Sequence, residues 1–409
     1  MEETAAGPLA PAIPERLTAD AVRAMDAADP LGDRRALFAL PEDLLYLDGN
    51  SLGPPTGEMV ERYADFLRSE WGERLIRGWY EGWMALPERL GERIGRLIGA
   101  PAGATIVADS TSVNLYKAAR AALGLRPGRR LVLIDEADFP TDRYVLAAAA
   151  RDAGMAVRGV SALRLAEAID TDVALVAFSH VDYRSATLRE IAPIVEAAHA
   201  AGALVLVDLS HSAGVLPVDL AASGADFAVG CGYKFLNGGP GAPAFLSVRP
   251  ALLDEAQSPI PGWMAHADPF AFAEDFVPAS GIRRFACGTP PVLGLKALAI
   301  ALEAFAGCAV PVLAAKARRL GSLFLATLAA EGVDGKLDVV SPAREDRRGA
   351  QISLAHPRAR ELMATLADHG VIGDFRPPEI MRFGFSPLCL RYEEVWRAGR
   401  ILARVLTRS

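Results

Sequence analysis

The sequence is short of lysine. Five of its 43 basic residues are lysines (Lys117, Lys234, Lys296, Lys316 and Lys336), and the other 38 are arginines. Any chemistry that needs a primary amine therefore has five candidates. Cysteine is scarce as well. Cys231, Cys287, Cys308 and Cys389 stand far apart with no CxxC pair, which argues against a zinc-type spacing or a disulfide framework and fits a reducing, cytoplasmic setting. A basic block is missing: 50 acidic residues outnumber the basic ones, for a net charge of −7. That is a poor basis for neutralising nucleic-acid phosphates. Residues 1–8 show neither the basic nor the apolar region of a secretory leader. Long apolar runs are lacking too. The most apolar stretch, 290–316, is interrupted by Lys296, Glu303, Gly307 and Pro311, so it reads as two packed helices rather than a membrane span.

What is present is an ordinary globular composition, 51% hydrophobic and 23% charged over 409 residues. That length suits two or three units, each able to bury its own core. An Ala- and Pro-rich lead-in over 1–17 reads as loosely held, and Thr18 is placed to cap a short helix through Asp26. Residues 57–98 follow a helical pattern with Trp71, Trp79, Tyr80 and Trp83 in its middle. A rhythm of short β-rich runs follows, at 104–108, 131–135, 156–160, 173–178, 203–207, 226–230 and 243–248, mostly separated by Ala-rich, helix-length segments. This alternation predicts an α/β fold with a doubly wound, mainly parallel seven-stranded sheet. The last two runs are joined by a Gly/Pro loop, 236–243, too short for a crossover helix, so the final strand is expected to be antiparallel. From about 291 the pattern becomes helical with strands near 350–355 and 380–385. The expected division is 1–60 as an N-terminal segment and active-site loop, 61–290 as the large domain, and 291–409 as a smaller C-terminal α+β domain.

In open α/β sheets, ligands bind beyond the carboxyl ends of the strands. Those positions hold Ser110-Thr111-Ser112, Phe139 to Asp142, Ser179-His180, Asp208 to His211 and Tyr233-Lys234. Hydroxyls at a helix start suit a phosphate dianion, although alone they read better as an ordinary N-cap. Asp208, at the edge of a buried strand, needs a cation or serves as a cap. His211 reads equally as a structural histidine. Lys234 is the only lysine at a strand's carboxyl end, where partial desolvation lowers an amine's pKa and favours condensation with a carbonyl. A phosphate cup, an aromatic (Phe139) to cover a flat ring, a buried Asp and a strand-end Lys together suit pyridoxal 5′-phosphate.

The chain resembles the kynureninase family, within the aminotransferase-like fold of pyridoxal-phosphate enzymes. The resemblance covers most of the chain and rests on six motifs in order: Tyr46 to Gly53, Ser112 to Leu115, Phe139 to Asp142, Asp208 to His211, Tyr233 to Gly241 and Gly288 to Pro291. It implies that Lys234 binds the cofactor aldehyde and then acts as general base. Asp208 would pair with the ring nitrogen, Phe139 stack on the ring, and Thr111, Ser112 and Tyr233 hold the phosphate and its surroundings. Asp142, Ser179 and His211 complete that pocket, and Tyr233 is also a candidate proton relay. Trp263 and Thr289 match positions contributed from a neighbouring subunit, which implies a homodimer with shared sites. Arg382 matches the substrate-carboxylate arginine, a role suited to a planar fork. Asn50, in the first motif, joins the substrate side. Trp71, Gly288 and Thr289 match a ring pocket that favours kynurenine over 3-hydroxykynurenine; Trp71 reads as readily as packing. Ser210 stands where the family often has Ala.

The implied activity is hydrolysis of L-kynurenine to anthranilate and L-alanine, in tryptophan breakdown or NAD biosynthesis. A cysteine desulfurase or selenocysteine lyase of the same fold is the nearest alternative. That alternative needs a reactive thiol, and Cys389, between Leu388 and Leu390, reads as buried. A nicotinamide dehydrogenase would need GxGxxG where Asp109 to Asn114 stand. A cofactor-free binding protein would have no use for both Lys234 and Asp208.

Overall fold

The computed structural model describes residues 9–408. The two-residue strand β1 (Leu45–Tyr46) is followed by the strands of the central sheet: β2 (Thr105–Ala108), β3 (Leu131–Asp135), β4 (Ala156–Val160), β5 (Val173–Ser179), β6 (Leu204–Asp208), β7 (Phe227–Gly230) and β8 (Ala244–Val248). Among the described residues these seven form one sheet in the order β2-β8-β7-β6-β5-β3-β4. Every residue of β5, β6, β7 and β8 is buried. That burial on both faces is why these strands read as unbroken Val/Leu/Ala/Phe runs. β3 to β7 pair in parallel, while β8 runs antiparallel to both β7 and β2. The expected sheet and its antiparallel last strand are both present.

Helices Thr111–Gly124, Pro140–Asp152 and Ile191–Ala200 cover the sheet. The helical stretch expected at 57–98 is broken. A helix at Met59–Asp65 opens into a π-helical turn at Phe66–Glu73 and 3-10 turns at Leu75–Trp79 and Trp83–Ala85, before Leu86–Leu97. Gly72, Gly78 and Gly82 punctuate it, and Leu75 takes a left-handed φ of 51°, which a continuous helix cannot accommodate.

A second sheet is built from β9 (Asp338–Val339), β10 (Gln351–Ala355), β12 (Asp374–Arg376) and β13 (Ile380–Gly384), in the order β12-β13-β10-β9, while β11 (Val371–Ile372) pairs with β1. No single described helix is long and apolar enough to cross a membrane. The apolar run beyond 290 consists of Val292–Phe305 and Val310–Ala330, bent by 84° around Gly307.

Thr18 does cap the first helix, Ala19–Ala27, accepting from Ala21 N. The first eight residues of the lead-in lie outside the described residues, but the remainder is not loose: Ile13 and Leu17 pack against the core. Asp26 accepts hydrogen bonds from the backbone N–H of Tyr392 and Glu393, capping the C-terminal helix Tyr392–Arg408. The buried pairs Lys316–Asp29 and Arg35–Glu394 hold the same N-terminal segment to the second sheet's helices.

Candidate active site

A cavity of about 280 Å³ opens at the carboxyl ends of β5 and β6 and reaches β12 and β13. Its lining includes eleven of the residues singled out from sequence: Asn50, Thr111, Ser112, Phe139, Asp142, Ser179, Asp208, His211, Tyr233, Lys234 and Arg382. Nine of them gather because the strands of the central sheet deliver their last residue, or the loop after it, to the same edge, while Asn50 comes from the loop of residues 48–53 and Arg382 from β13 of the second sheet.

One end is a helix N-terminus. Ser110 caps Thr111–Gly124 by accepting from Val113 N at 3.4 Å. Thr111 and Ser112 follow in the first turn, and the buried Thr111 Oγ1 has no partner among the described residues. Asp109 bends the chain into this turn with a left-handed φ of 49°. The buried Lys117 holds it there, donating to Asp109 Oδ2 at 2.7 Å and to Phe285 O at 2.6 Å. A helix N-terminus with an unpartnered hydroxyl fits a phosphate group.

The middle carries two carboxyls in contact. Asp142 hydrogen-bonds Asp208, and burial, followed by the charges of Asp208 and Asp138, pushes the Asp142 carboxyl well above the usual carboxylate range. Two carboxyls this close oppose each other's ionisation, which favours the protonated form of Asp142. Asp208 accepts from Ser210 N at 2.5 Å, yet among the described residues neither acid forms a salt bridge. A protonated ring nitrogen fits here, because it would give Asp208 the cation that the protein does not. His211 lies nine-tenths or more buried, and burial, then Lys234 and Arg382, hold it well below the usual imidazole range. It is therefore neutral. Lys234 Nζ stands 5.9 Å from the Tyr233 ring centre. Burial, then Cys231 and Asp208, raises the Tyr233 phenol, so it is protonated and able to donate. Phe139 packs edge-on against Tyr183 at 5.2 Å.

The loop of residues 48–53 closes this region from the other side. Gly53 N donates to Tyr233 O at 2.8 Å. A Cβ on Gly53 would lie 2.3 Å from Lys234 O and 2.2 Å from Asn237 Oδ1, so only glycine allows this approach. Asn50 is fully buried, donates to Gln351 Oε1 at 3.0 Å and leaves its own Oδ1 without a partner among the described residues. Gly384 makes room for it, since a Cβ there would sit 1.9 Å from Asn50 Oδ1.

At the far end, Arg382 is 1% exposed on the central strand β13. Its Nε donates to Asp374 Oδ1 at 2.6 Å and its Nη1 to Tyr183 O at 2.6 Å, while Nη2 reaches Asp374 Oδ2 and Ser51 Oγ. Burial opposes ionisation of Asp374, but hydrogen bonding from Arg382, its charge and the Ser51 hydroxyl outweigh it, holding the carboxyl below its usual range. Asp48, behind the loop, behaves oppositely: burial and the charge of Asp374 push it up to about 7.

Four expected residues lie outside the cavity. Trp71 is half exposed, Gly288 and Thr289 are exposed, and Trp263 packs edge-on against Trp79 and Phe270. Sequence reasoning missed Ser51, Asp48, Tyr183, Asp374 and Arg376. The alternating Asp374-Phe375-Arg376 places both charges on one face of a strand, a signal that was readable.

The C-terminal part of the chain, residues 313–402, matches the family model described as the kynureninase C-terminal domain. Over 390 residues, 94% of this chain and 95% of the relative, it is 46% identical to a kynureninase of Deinococcus radiodurans. The chain belongs to the kynureninase family. A kynureninase of Pseudomonas fluorescens is 42% identical, with 94% and 95% of the two chains covered. In fold, the chain superposes on a cysteine desulfurase from Thermococcus onnurineus with a TM-score of 0.78 at 18% identity, covering 92% of this chain and 98% of that one. A cysteine desulfurase from Escherichia coli gives 0.76 at 20% identity, with coverage of 92% and 98%. The family is thus set by sequence, and the fold is shared more widely.

Proposed function

We propose that this chain hydrolyses L-kynurenine to anthranilate and L-alanine, using pyridoxal 5′-phosphate held in the cavity described above. The observation that carries this reading is that one cavity joins a lysine, an Asp with no salt bridge among the described residues, a phosphate-type helix start and a buried arginine fork, in a chain of this family. Thr111, Ser112 and the helix N-terminus would hold the phosphate, Phe139 the ring face, and Asp208 the ring N–H. Asp142, Ser179 and His211 shape the surrounding wall.

When bound, the cofactor supplies an electron sink for negative charge developing at the substrate Cα. The chain's residues do the rest. Arg382 and Asn50 bind the α-carboxylate end. Lys234 Nζ takes the Cα proton as general base. Water adds to the γ-carbonyl and the Cβ–Cγ bond breaks, releasing anthranilate, after which the alanyl fragment takes up protons. Tyr233, protonated and beside Lys234, delivers a proton to that fragment. His211, being neutral, adds no competing positive charge next to Asp208.

Trp263, Thr289, Gly288 and Trp71 act in this reading across a homodimer interface. Tyr80, Phe270, Phe272 and Val277 are exposed near Trp263, an apolar surface suited to a second copy. The ring pocket so completed prefers kynurenine to 3-hydroxykynurenine. The reaction belongs to tryptophan degradation in the cytoplasm, with the sheet of 61–290 and the unit of 291–409 acting as large and small domains.

Anthranilate fluorescence on adding kynurenine to the purified yellow protein tests this directly; a protein that binds cofactor yet releases no anthranilate refutes it. The desulfurase alternative is disfavoured by Cys389. That thiol is fully buried, and burial pushes it up to about 11, leaving it protonated and unreactive. Sulfide release from cysteine would revive the alternative.

A further inference from the structure

Asp374 is not among the residues lining the cavity, yet it holds three that are. It lies directly opposite Arg382 in the β12–β13 ladder. Its Oδ1 accepts from Arg382 Nε at 2.6 Å. Its Oδ2 accepts from Ser51 Oγ at 2.7 Å, from Arg376 Nη2 at 2.8 Å and from Arg382 Nη2. Ser51, Arg376 and Arg382 all face the cavity.

A guanidinium offers a carboxylate more than one two-pronged edge. Asp374 takes the Nε/Nη2 edge of Arg382. Tyr183 O takes one N–H of Nη1 and Ser51 Oγ the second N–H of Nη2, at 3.2 Å, so a carboxylate arriving at the Nη1/Nη2 end meets the remaining Nη1 N–H and takes the place of the long Ser51 contact on Nη2. A buried arginine without such a partner would be an uncompensated charge, free to swing toward any acceptor.

We propose that Asp374 is the positioning residue of the substrate-carboxylate clamp: it fixes which edge of Arg382 meets the substrate and ties Ser51 and Arg376 to the same hub. This rests on the kynurenine reading only in taking Arg382 as the carboxylate-binding residue. Asp374 touches no reacting atom. Its loss acts on the placing of the carboxylate rather than on Lys234.

The test uses the full-length, cofactor-loaded enzyme and its D374N and D374E variants. L-alanine, which carries the α-carboxylate, is titrated by its effect on the visible spectrum; anthranilate, which lacks the amino-acid end, is titrated as an inhibitor. D374N is expected to weaken L-alanine binding about 10- to 30-fold and raise KM for kynurenine by a similar factor, as for loss of a charge-assisted bidentate anchor. It should leave kcat within about threefold and anthranilate inhibition unchanged. D374E, which keeps the charge, should recover much of the L-alanine affinity.

Unchanged L-alanine binding in D374N overturns the proposal, as does an equal loss for L-alanine and anthranilate, which marks general damage to the cavity. If D374N does not fold, S51A decides. It removes one arm of the hub and should weaken L-alanine about threefold, and no change there overturns the proposal. A wild-type enzyme that binds L-alanine but does not cleave kynurenine refutes the reaction and not the clamp, because the L-alanine constants still judge Asp374.

Discussion

The two ends of the cavity are built on opposite plans. At the helix N-terminus, among the described residues, Thr111 Oγ1 is buried without a partner and Asp208 and Asp142 crowd each other with no salt bridge to either. At the far end, Arg382 is tied at Nε, Nη1 and Nη2 by Asp374, Tyr183 and Ser51. The first end leaves polar groups for a ligand to satisfy, as a cofactor pocket does. The second satisfies most of its own groups and keeps one Nη1 N–H and an exchangeable Ser51 contact for a ligand, as suits a substrate that comes and goes with each turnover. A buried arginine that depended on substrate for its only counter-charge would destabilise the free enzyme by about 3–5 kcal/mol.

The comparison breaks first at the residue between the ends. Lys234→Ala should bleach the visible absorbance and cut turnover by at least about 10³-fold, since nucleophile and general base are lost together; residual activity within tenfold of wild type would remove Lys234 from the chemistry. Next, Arg382→Lys should raise KM for kynurenine about 10- to 100-fold, because an ammonium cannot make two parallel hydrogen bonds. It should also lower the melting temperature without cofactor, because it dismantles the Asp374 hub; a KM effect without that loss would undo the contrast. Thr111→Val should do the reverse. Cofactor binding weakens about 5- to 10-fold, roughly one hydrogen bond, while the cofactor-free protein melts no lower, since the hydroxyl has no protein partner to lose.

The smallest effect concerns Asp48. Its carboxyl is raised to about 7 by burial and Asp374, so the folded state holds a proton that the unfolded state releases. That stabilisation is complete below the ordinary Asp value near 4 and fades as pH rises through about 7. Asp48→Asn should therefore melt about 2 °C above wild type at pH 8, with the gap closing toward pH 5. A constant gap across that range would show that Asp48 is ionised throughout.

The central sheet was almost fully legible, because strands buried on both faces write themselves as continuous apolar runs; the expected 131–135 and 156–160 coincide with β3 and β4. The break-up of 57–98 was not, since helical spacing persists through π and 3-10 turns and only Leu75's left-handed backbone marks the interruption. β9 and β12 were missed for want of length. In the site, residues at strand ends could be found by position. Arg382 came from resemblance alone; Asp374 was marked only by its alternation with Arg376, and its pairing with Arg382 and Ser51, 8 and 323 positions away along the chain, stayed hidden. Nothing local signals a contact that only tertiary pairing creates.

The loop of residues 48–53 has a further consequence. Its Gly53 rests on the Tyr233 carbonyl, next to the reactive amine, and its Ser51 hangs from Asp374, next to the guanidinium. Two residues of backbone thus span from base to clamp, and they act as a gauge block. A shift of this loop would therefore move the surroundings of the base and of the clamp together. An insertion here would uncouple the two anchors, at Tyr233 O and at Asp374.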